Sequence, residues 1–591
     1  MGKRSASRKS RAAEQPSGPP RQSRPYYFWH FVLLAALCVV VYANSLNGEF
    51  VWDDNVQIVR NESIRSLQNI PQMFTSSLWS FAGANNAGTN RYYRPLQTAM
   101  FALVYSYAEL SPFSYHLANV LLHTAATLIL YAFLLELRMF GRASLAPAAL
   151  FAVHPVHVEA VSWIAGAGEL SCGLFYFGAL WTFCRYLNRG RGVWLALSAA
   201  SFFLALLSKE MAVTFPAAAF LVVWMKRADL QLKLRRYVLA ALPFALVLVF
   251  YGVLRFSATG LGGTSNLTNS GSVLDWVTLG VWVFGQYLRY AFAPYPLTAF
   301  HLTSLLLASR ILSTVLYALL PAGMVLVLYL RRNTIGLLWM AMFATMLAPV
   351  FYFKGITGGF LFSERYLYIP TLAAMAMLTS LGMQLPRKLA VAGAVALVVL
   401  FSVASMMQNR FWHDDVALYS HAVAVYPKNT YASANLGGIY LNRGDEVSAQ
   451  LAFEKGQRSI GDATYMQPAD TEYVLELGLG SLAARRNDAG EAKLHLKRAL
   501  EISPNGENAY TLLAGVLMNL ERNAEDAIPL LEKAIELNPV DDQARDSMGV
   551  ALYNMRRYDE AIARFREALQ INPQSELAQQ HLERALSRIK N

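Results

Sequence analysis

Residues 27–46, YFWHFVLLAALCVVVYANSL, run by way of Asn47 into Gly48-Glu49-Phe50-Val51-Trp52-Asp53-Asp54. The apolar run has the length needed to cross the hydrocarbon core of a bilayer once. Two adjacent carboxylates therefore stand at the mouth of a membrane helix, at the end away from the N-terminus. Carboxylates at membrane depth are expensive and mark function by default. At the water boundary that cost falls, and the plain alternative is a solvated turn. The rest of the chain decides between the two.

The composition favours a membrane protein. Of 591 residues, 55% are hydrophobic and 15% charged, and the mean hydropathy is +0.30, too apolar for a soluble chain of this length. Charge is sparse in the middle and dense in the last third, which separates a membrane domain (26–407) from a soluble one (408–591). Residues 1–25 are basic and rich in Ser, Pro and Gly, and read as a disordered cytoplasmic tail. The first span lacks a small-residue cleavage site and reads as a retained anchor. The net charge of +12 gathers in this tail and in short loops between spans. That is a topology signal and not a nucleic-acid surface. Cys38, Cys172 and Cys184 all lie in apolar segments and form neither a disulfide framework nor a metal site.

With the basic tail inside, residues 47–112 form a first outer loop. Two stretches in it, 62–81 and 91–110, read as amphipathic helices on the membrane face. Further spans are expected near 113–136, 144–162, 168–187, 193–208, 211–225, 237–256, 308–330, 335–353, 366–384 and 389–407, about eleven in all. Residues 277–300, broken by Arg289, Pro294 and Pro296, read as interfacial or re-entrant. The C-terminus then emerges on the side of the first loop. The sequons at Asn61 and Asn266 fall on that side too.

The last third repeats. Gly437, Gly480, Gly515 and Gly549 are each followed twelve residues later by Ala449, Ala492, Ala527 and Ala561. Four residues further on come Phe453, Leu496, Leu531 and Phe565. Pro504, Pro539 and Pro573 close the later units. This is the tetratricopeptide pattern of paired helices stacked into an α-solenoid. Residues 411–427 (FWHDDVALYSHAVAVYP) read as a leading half-repeat, and 574–590 as a polar capping helix. Such arrays offer a curved groove for an acceptor protein or partner; the plain alternative is a spacer.

The expected topology gathers polar groups beside Asp53 and Asp54. They are Arg91 and Arg94 in RYYRPL, His116 and Asn119 in YHLAN, and His154, His157 and Glu159 in HPVHVEAVSW. Glu169, Lys209 and Glu210 (in SKEMAVTFP) and Lys354, Glu364, Arg365, Tyr366 and Tyr368 complete the set. HPVH suggests a metal pair, but Pro155 disfavours helix at His154, so a divalent metal is the weaker alternative and no cofactor is required. A carrier places such groups at mid-membrane. Here they cluster at span ends, which suits chemistry on a lipid-linked substrate at the water boundary. A lipid phosphate needs Arg or Lys to hold it and to stabilise it as a leaving group. An acceptor hydroxyl needs a carboxylate to take its proton. Adjacent carboxylates rarely point the same way, so one of Asp53 and Asp54 is expected to be the base and the other to orient the loop or bind substrate.

FVWDDNVQIV, YYRPL, YHLANVLLH, HPVHVEAVSW, SKEMAVTFP, ERYLYIP and the repeats together resemble the transmembrane and tetratricopeptide-repeat-containing O-mannosyltransferases and their bacterial relatives. More distantly they resemble the protein O-mannosyltransferases. The resemblance implies an all-α GT-C fold with its active site in the first outer loop. It also implies a polyprenyl- or dolichyl-phosphate sugar donor, typically mannose, with inverting transfer to protein Ser or Thr. By motif it assigns the acidic site to Asp53 and Asp54, the donor-phosphate contact to Arg365 beside Glu364 and Tyr366, and the histidine motif to His154, His157 and Glu159. One departure stands out. Where the family carries a basic residue, this chain reads Gly166-Ala167-Gly168-Glu169-Leu170. The short repeat array suggests a bacterial inner membrane with periplasmic repeats; an endoplasmic reticulum membrane with luminal repeats is equivalent in topology. The competing readings are a non-catalytic scaffold anchored in the membrane and a flippase of lipid-linked sugar.

Overall fold

The computed structural model describes residues 24–82, 92–227, 234–260, 273–301, 311–351, 362–460, 468–573 and 575–590. Arg91, Lys354, Asn266 and nearly all of the N-terminal tail lie outside them. Among the described residues every regular element is helical.

Six helices are long and apolar enough to cross a bilayer: Tyr27–Asn47, Pro112–Leu137, Leu239–Thr259, Leu312–Leu330, Thr334–Phe351 and Arg387–Trp412. Their unpacked faces carry Val and Leu, as on Val391, Val395 and Val399, which fits lipid as the solvent. The other five expected spans take different forms. Gly141–Ala152 and Pro155–Ser162 form one bent pair, at 49°. Gly192–Ser208, Glu210–Met225 and Thr371–Gly382 are shorter apolar helices. Ala167–Arg189 has the length but carries Glu169, Arg185 and Arg189. The shortfall has a local cause, because the helices stop at polar motifs. His154 is extended before Pro155, Lys209 is extended between two helices, and a short turn at Glu364–Leu367 precedes Thr371. Non-helical backbone at such depth is tolerated only where protein or a polar cavity surrounds it.

Two further expectations change. Residues 62–81 do not form one amphipathic helix. Asn61 and Ser66 cap separate short turns through their side chains, and only Ile70–Met73 is α-helical there. Residues 91–110 do yield a helix, Pro95–Ala108. The ambiguous segment contains a continuous helix, Val273–Phe292, with Arg289 inside it. Its break comes later, at residues 293–301. Asn61 of the first sequon is buried and its amide donates to the Gln57 carbonyl at 3.0 Å, so its side chain is a cap.

Polar clamps hold the bundle at the end where the first loop emerges. Asn409, ending the last span, donates to the Val41 carbonyl at 2.9 Å and accepts from Ser162 Oγ at 2.9 Å. Asn119 donates to the Trp163 carbonyl at 2.9 Å. The hydrophobic core is continuous from Leu34 through the bundle to Trp412, Tyr419 and Ala432. The first repeat helices are therefore part of the same packed body.

Four helix pairs follow, from Thr430–Asn442 with Glu446–Arg458 to Asp542–Asn554 with Tyr558–Ile571, and Glu576–Lys590 closes the stack. The four repeat alanines and their large apolar partners are all buried. The glycines are not equivalent. A Cβ on Gly549 would sit 2.4 Å from the Phe565 ring, whereas one on Gly515 meets nothing within 4 Å. Gly549→Ala is therefore expected to destabilise the array by ~1–3 kcal/mol through overpacking. Gly515→Ala is expected to stabilise it by up to ~1 kcal/mol through helix propensity. Thermal unfolding of the two variants should show shifts of opposite sign.

Candidate active site

The turn after the first span separates the two aspartates. Asp54 is 0% exposed. Its carboxylate accepts the Val51 N–H at 3.1 Å and the Ala165 N–H at 2.7 Å, tying the loop to the turn that follows HPVHVEAVSW. Burial holds its pKa well above the usual carboxylate range, against the pull of those two donors. The Asp53 side chain is partly exposed and accepts no hydrogen bond from the described residues. Burial pushes it up to about 6, opposed by the positive charges of Arg365 and Arg94. One carboxylate is enclosed and hydrogen-bonded; its neighbour is half-buried and has no hydrogen-bond donor among the described residues. Trp52, just before them, has φ +53°, a left-handed backbone that a bulky L-residue rarely adopts.

Beside Asp53 lies a buried network of three cations and three carboxylates. Arg94 donates to Glu210 Oε2 at 3.1 Å and 3.2 Å. Lys209 pairs with Glu169 and lies 4.8 Å from the Tyr366 ring centre. The Arg365 guanidinium pairs with Glu159 and reaches Glu169 at 3.5 Å, and its backbone N–H donates to Glu159 at 2.8 Å. It also lies 5.3 Å from the Trp163 ring centre and 5.8 Å from that of Trp52. The helix breaks at HPVH, SKE and ERY thus supply Glu159, Lys209, Glu210 and Arg365 to one place. The network is charge-compensated before any ligand arrives, so Arg365 is engaged and not free. A small cavity touches Glu169, Lys209, Arg365 and Tyr366. A larger one, about 150 Å³, opens beside Arg94 and is lined by residues that include Ser63, Ser76, Ser77 and Thr98.

Glu364 faces elsewhere. It accepts the Thr298 N–H at 2.7 Å and pairs with His301 Nε2 at 2.7 Å, and burial holds its pKa well above the usual carboxylate range. His301, from the turn after Val273–Phe292, carries no motif and was invisible in the sequence. The two histidines of the motif HPVHVEAVSW lie apart from the network that Glu159 joins. His154 donates from Nε2 to the Ala291 carbonyl at 3.1 Å. His157 is enclosed by Phe151 (4.4 Å between ring centres) and Tyr368 (4.8 Å). Both rings are fully buried in packed interior, and neither borders the two cavities. His116 packs under Gly48, where a Cβ would lie 2.8 Å from its Nε2. Ala167, where the family's cation is missing, is buried in an apolar cluster with Ile64 and Phe101. No group of three His, Cys, Asp or Glu among the described residues has the arrangement of a metal site.

Comparison with known proteins supplies a context. The family described as tetratricopeptide repeat matches residues 543–575. The mouse protein O-mannosyl-transferase TMTC3 is 25% identical over 92% of this chain and 64% of its own length. The Caenorhabditis elegans protein O-mannosyl-transferase F38B6.6 is 26% identical over 72% of this chain and 62% of its own. The Xenopus laevis protein O-mannosyl-transferase tmtc2 is 34% identical over 32% of this chain and 23% of its own. The chain thus spans less than two thirds of the length of these curated relatives. Among solved structures, the tetratricopeptide protein YrrB is 22% identical over 31% of this chain and 86% of its own, with a TM-score of 0.22. Over most of its length, this membrane chain is similar to the curated protein O-mannosyl-transferases, and its C-terminal part carries a tetratricopeptide repeat.

Proposed function

We propose that the chain is a GT-C-type glycosyltransferase. It moves a sugar, mannose by resemblance, from a polyprenyl- or dolichyl-phosphate donor to Ser or Thr hydroxyls of a protein. The observation that carries this reading is the half-buried carboxylate of Asp53, which accepts no hydrogen bond among the described residues, beside a buried cluster of cations at the mouth of the first span. Asp53 takes the proton of the acceptor hydroxyl as its oxygen attacks the anomeric carbon. The bond from that carbon to the phosphate oxygen breaks, and the electron pair leaves on the lipid phosphate with inversion. Arg365 stabilises the departing phosphate, which exchanges with Glu169 at the looser of its two contacts. The repeats recruit the acceptor or a partner. The site faces away from the cytoplasm, in the bacterial periplasm or in the equivalent lumen of the endoplasmic reticulum.

The test is transfer of radiolabelled mannose from polyprenyl-phosphate-mannose to proteins in membranes that contain the full chain, followed across pH. A base must be ionised to act, and burial has raised the pKa of Asp53 to about 6. Transfer should therefore be half-maximal at pH ~6, reach its plateau about one pH unit higher and fall as pH drops, a limb higher than the ordinary aspartate one near ~4. A profile flat from about pH 5 to about pH 8 removes Asp53 as the base, and no transfer at all points to the scaffold reading.

A further inference from the structure

We propose that Asp415, in the first helix of the soluble domain, is a positioning residue that aims Asp53; this rests on the transferase reading above.

The motif His413-Asp414-Asp415 follows the last span. Its two aspartates divide their work. Asp414 caps the helix Asp415–Val425, its side chain accepting the Ala417 N–H at 2.9 Å. Asp415 is therefore not needed as a cap, and its carboxylate crosses to the first loop. Oδ1 accepts the Trp52 backbone N–H at 2.8 Å, and Oδ2 accepts from the Asn55 side chain at 3.3 Å. These residues are more than 350 apart in sequence. A third bond runs alongside, from the Glu49 N–H to the His413 carbonyl at 2.7 Å.

The residue held this way is the strained one. Trp52 takes φ +53°, and a non-glycine residue stays there only where its surroundings over-determine it. Its ring is fixed from two sides, stacked on Trp163 at 4.9 Å and edge-on to Phe300 at 5.0 Å. Phe300 in turn stacks flat on Tyr419 of the Asp415 helix, 5.1 Å away with the planes 3° apart. The backbone N–H is fixed by Asp415. Without that bond the Trp52 backbone relaxes, and the next residue, Asp53, turns with it. The soluble domain is thus built into the catalytic turn.

Two conservative variants of the full chain separate geometry from charge. Asp415→Asn keeps an oxygen where Trp52 needs an acceptor, turns its –NH₂ toward the Asn55 side chain, whose amide can rotate to present its own oxygen, and removes the charge. Asp415→Glu keeps the charge and moves the oxygen by one methylene; both suit the first turn of a helix. With polyprenyl-phosphate-mannose as donor, Asp415→Asn is expected to retain most of the wild-type kcat. Asp415→Glu is expected to lose at least about tenfold in kcat with donor KM within about twofold, the signature of a misplaced reacting group. Equal activity of both variants and the wild type overturns the assignment and leaves the transferase reading standing. So does the reverse order, with Glu active and Asn impaired. A wild-type chain that transfers nothing overturns both.

Discussion

Asp53→Asn is expected to remove sugar transfer while leaving the fold intact, and Asp54→Asn to do the reverse. The Asp53 carboxylate holds nothing in place among the described residues. Replacing it with an amide of the same shape breaks no bond and removes a group that can accept a proton. Loss of a positioned general base lowers the rate by ~10²–10⁴-fold, so transfer should fall by that factor with donor KM little changed. Asp54 is enclosed and satisfies two backbone N–H groups, of Val51 and Ala165. An amide there turns an –NH₂ toward one of the two donors. The bond is lost and a buried donor is left unpaired, at ~1–3 kcal/mol. Asp54→Asn should therefore unfold at lower temperature, and the protein that remains folded should still transfer. Thermal unfolding and transfer, measured on both variants, give the comparison. Equal loss of transfer at equal stability would mean that the two carboxylates act together.

What the sequence disclosed, and what it hid, follows from the range of each interaction. The repeats are local and periodic, so Gly437, Ala449 and Phe453 predict their own packing. The interrupted spans were also readable in part. Lys209-Glu210 and Glu364-Arg365 are conspicuous in apolar surroundings because ions there need partners, and the structure brings Glu210 to Arg94 and Arg365 to Glu159. The side on which a polar group ends up was not readable. HPVH carries the same kind of chemical signal as SKE, but Phe151 and Tyr368 enclose His157. The break at Pro155 supplies Glu159 to the site and keeps the imidazoles inside. Asp415, His301 and Asn409 had no local signature. Each acts on a segment distant in sequence, and only the packed core of bundle and first repeat helices defines those pairings.

Arg365→Ala should lose both folding and transfer, and a double variant should recover the first without the second. The guanidinium is the main counter-charge of Glu159, which is 1% exposed. Removing one partner of a buried pair strands the other as an uncompensated ion, at ~3–5 kcal/mol. Little of that cost is specific to catalysis, so inactivity of Arg365→Ala alone proves nothing about the donor. Replacing both partners by neutral side chains of similar volume is often close to neutral for stability. In Glu159→Gln with Arg365→Met, the glutamine oxygen still accepts the residue-365 backbone N–H, which donates to Glu159 at 2.8 Å in the wild type. The methionine fills the space of the arginine stem between the Trp163 and Tyr366 rings. Its unfolding temperature should return most of the way to wild type. If Arg365 holds the donor phosphate, the double variant should still fail to transfer and should bind polyprenyl phosphate more weakly, since a charge-assisted contact is gone. If the ion pair serves only to join the two helix breaks, the double variant should transfer as the wild type does. Thermal unfolding together with lipid-phosphate binding separates these outcomes on a single protein.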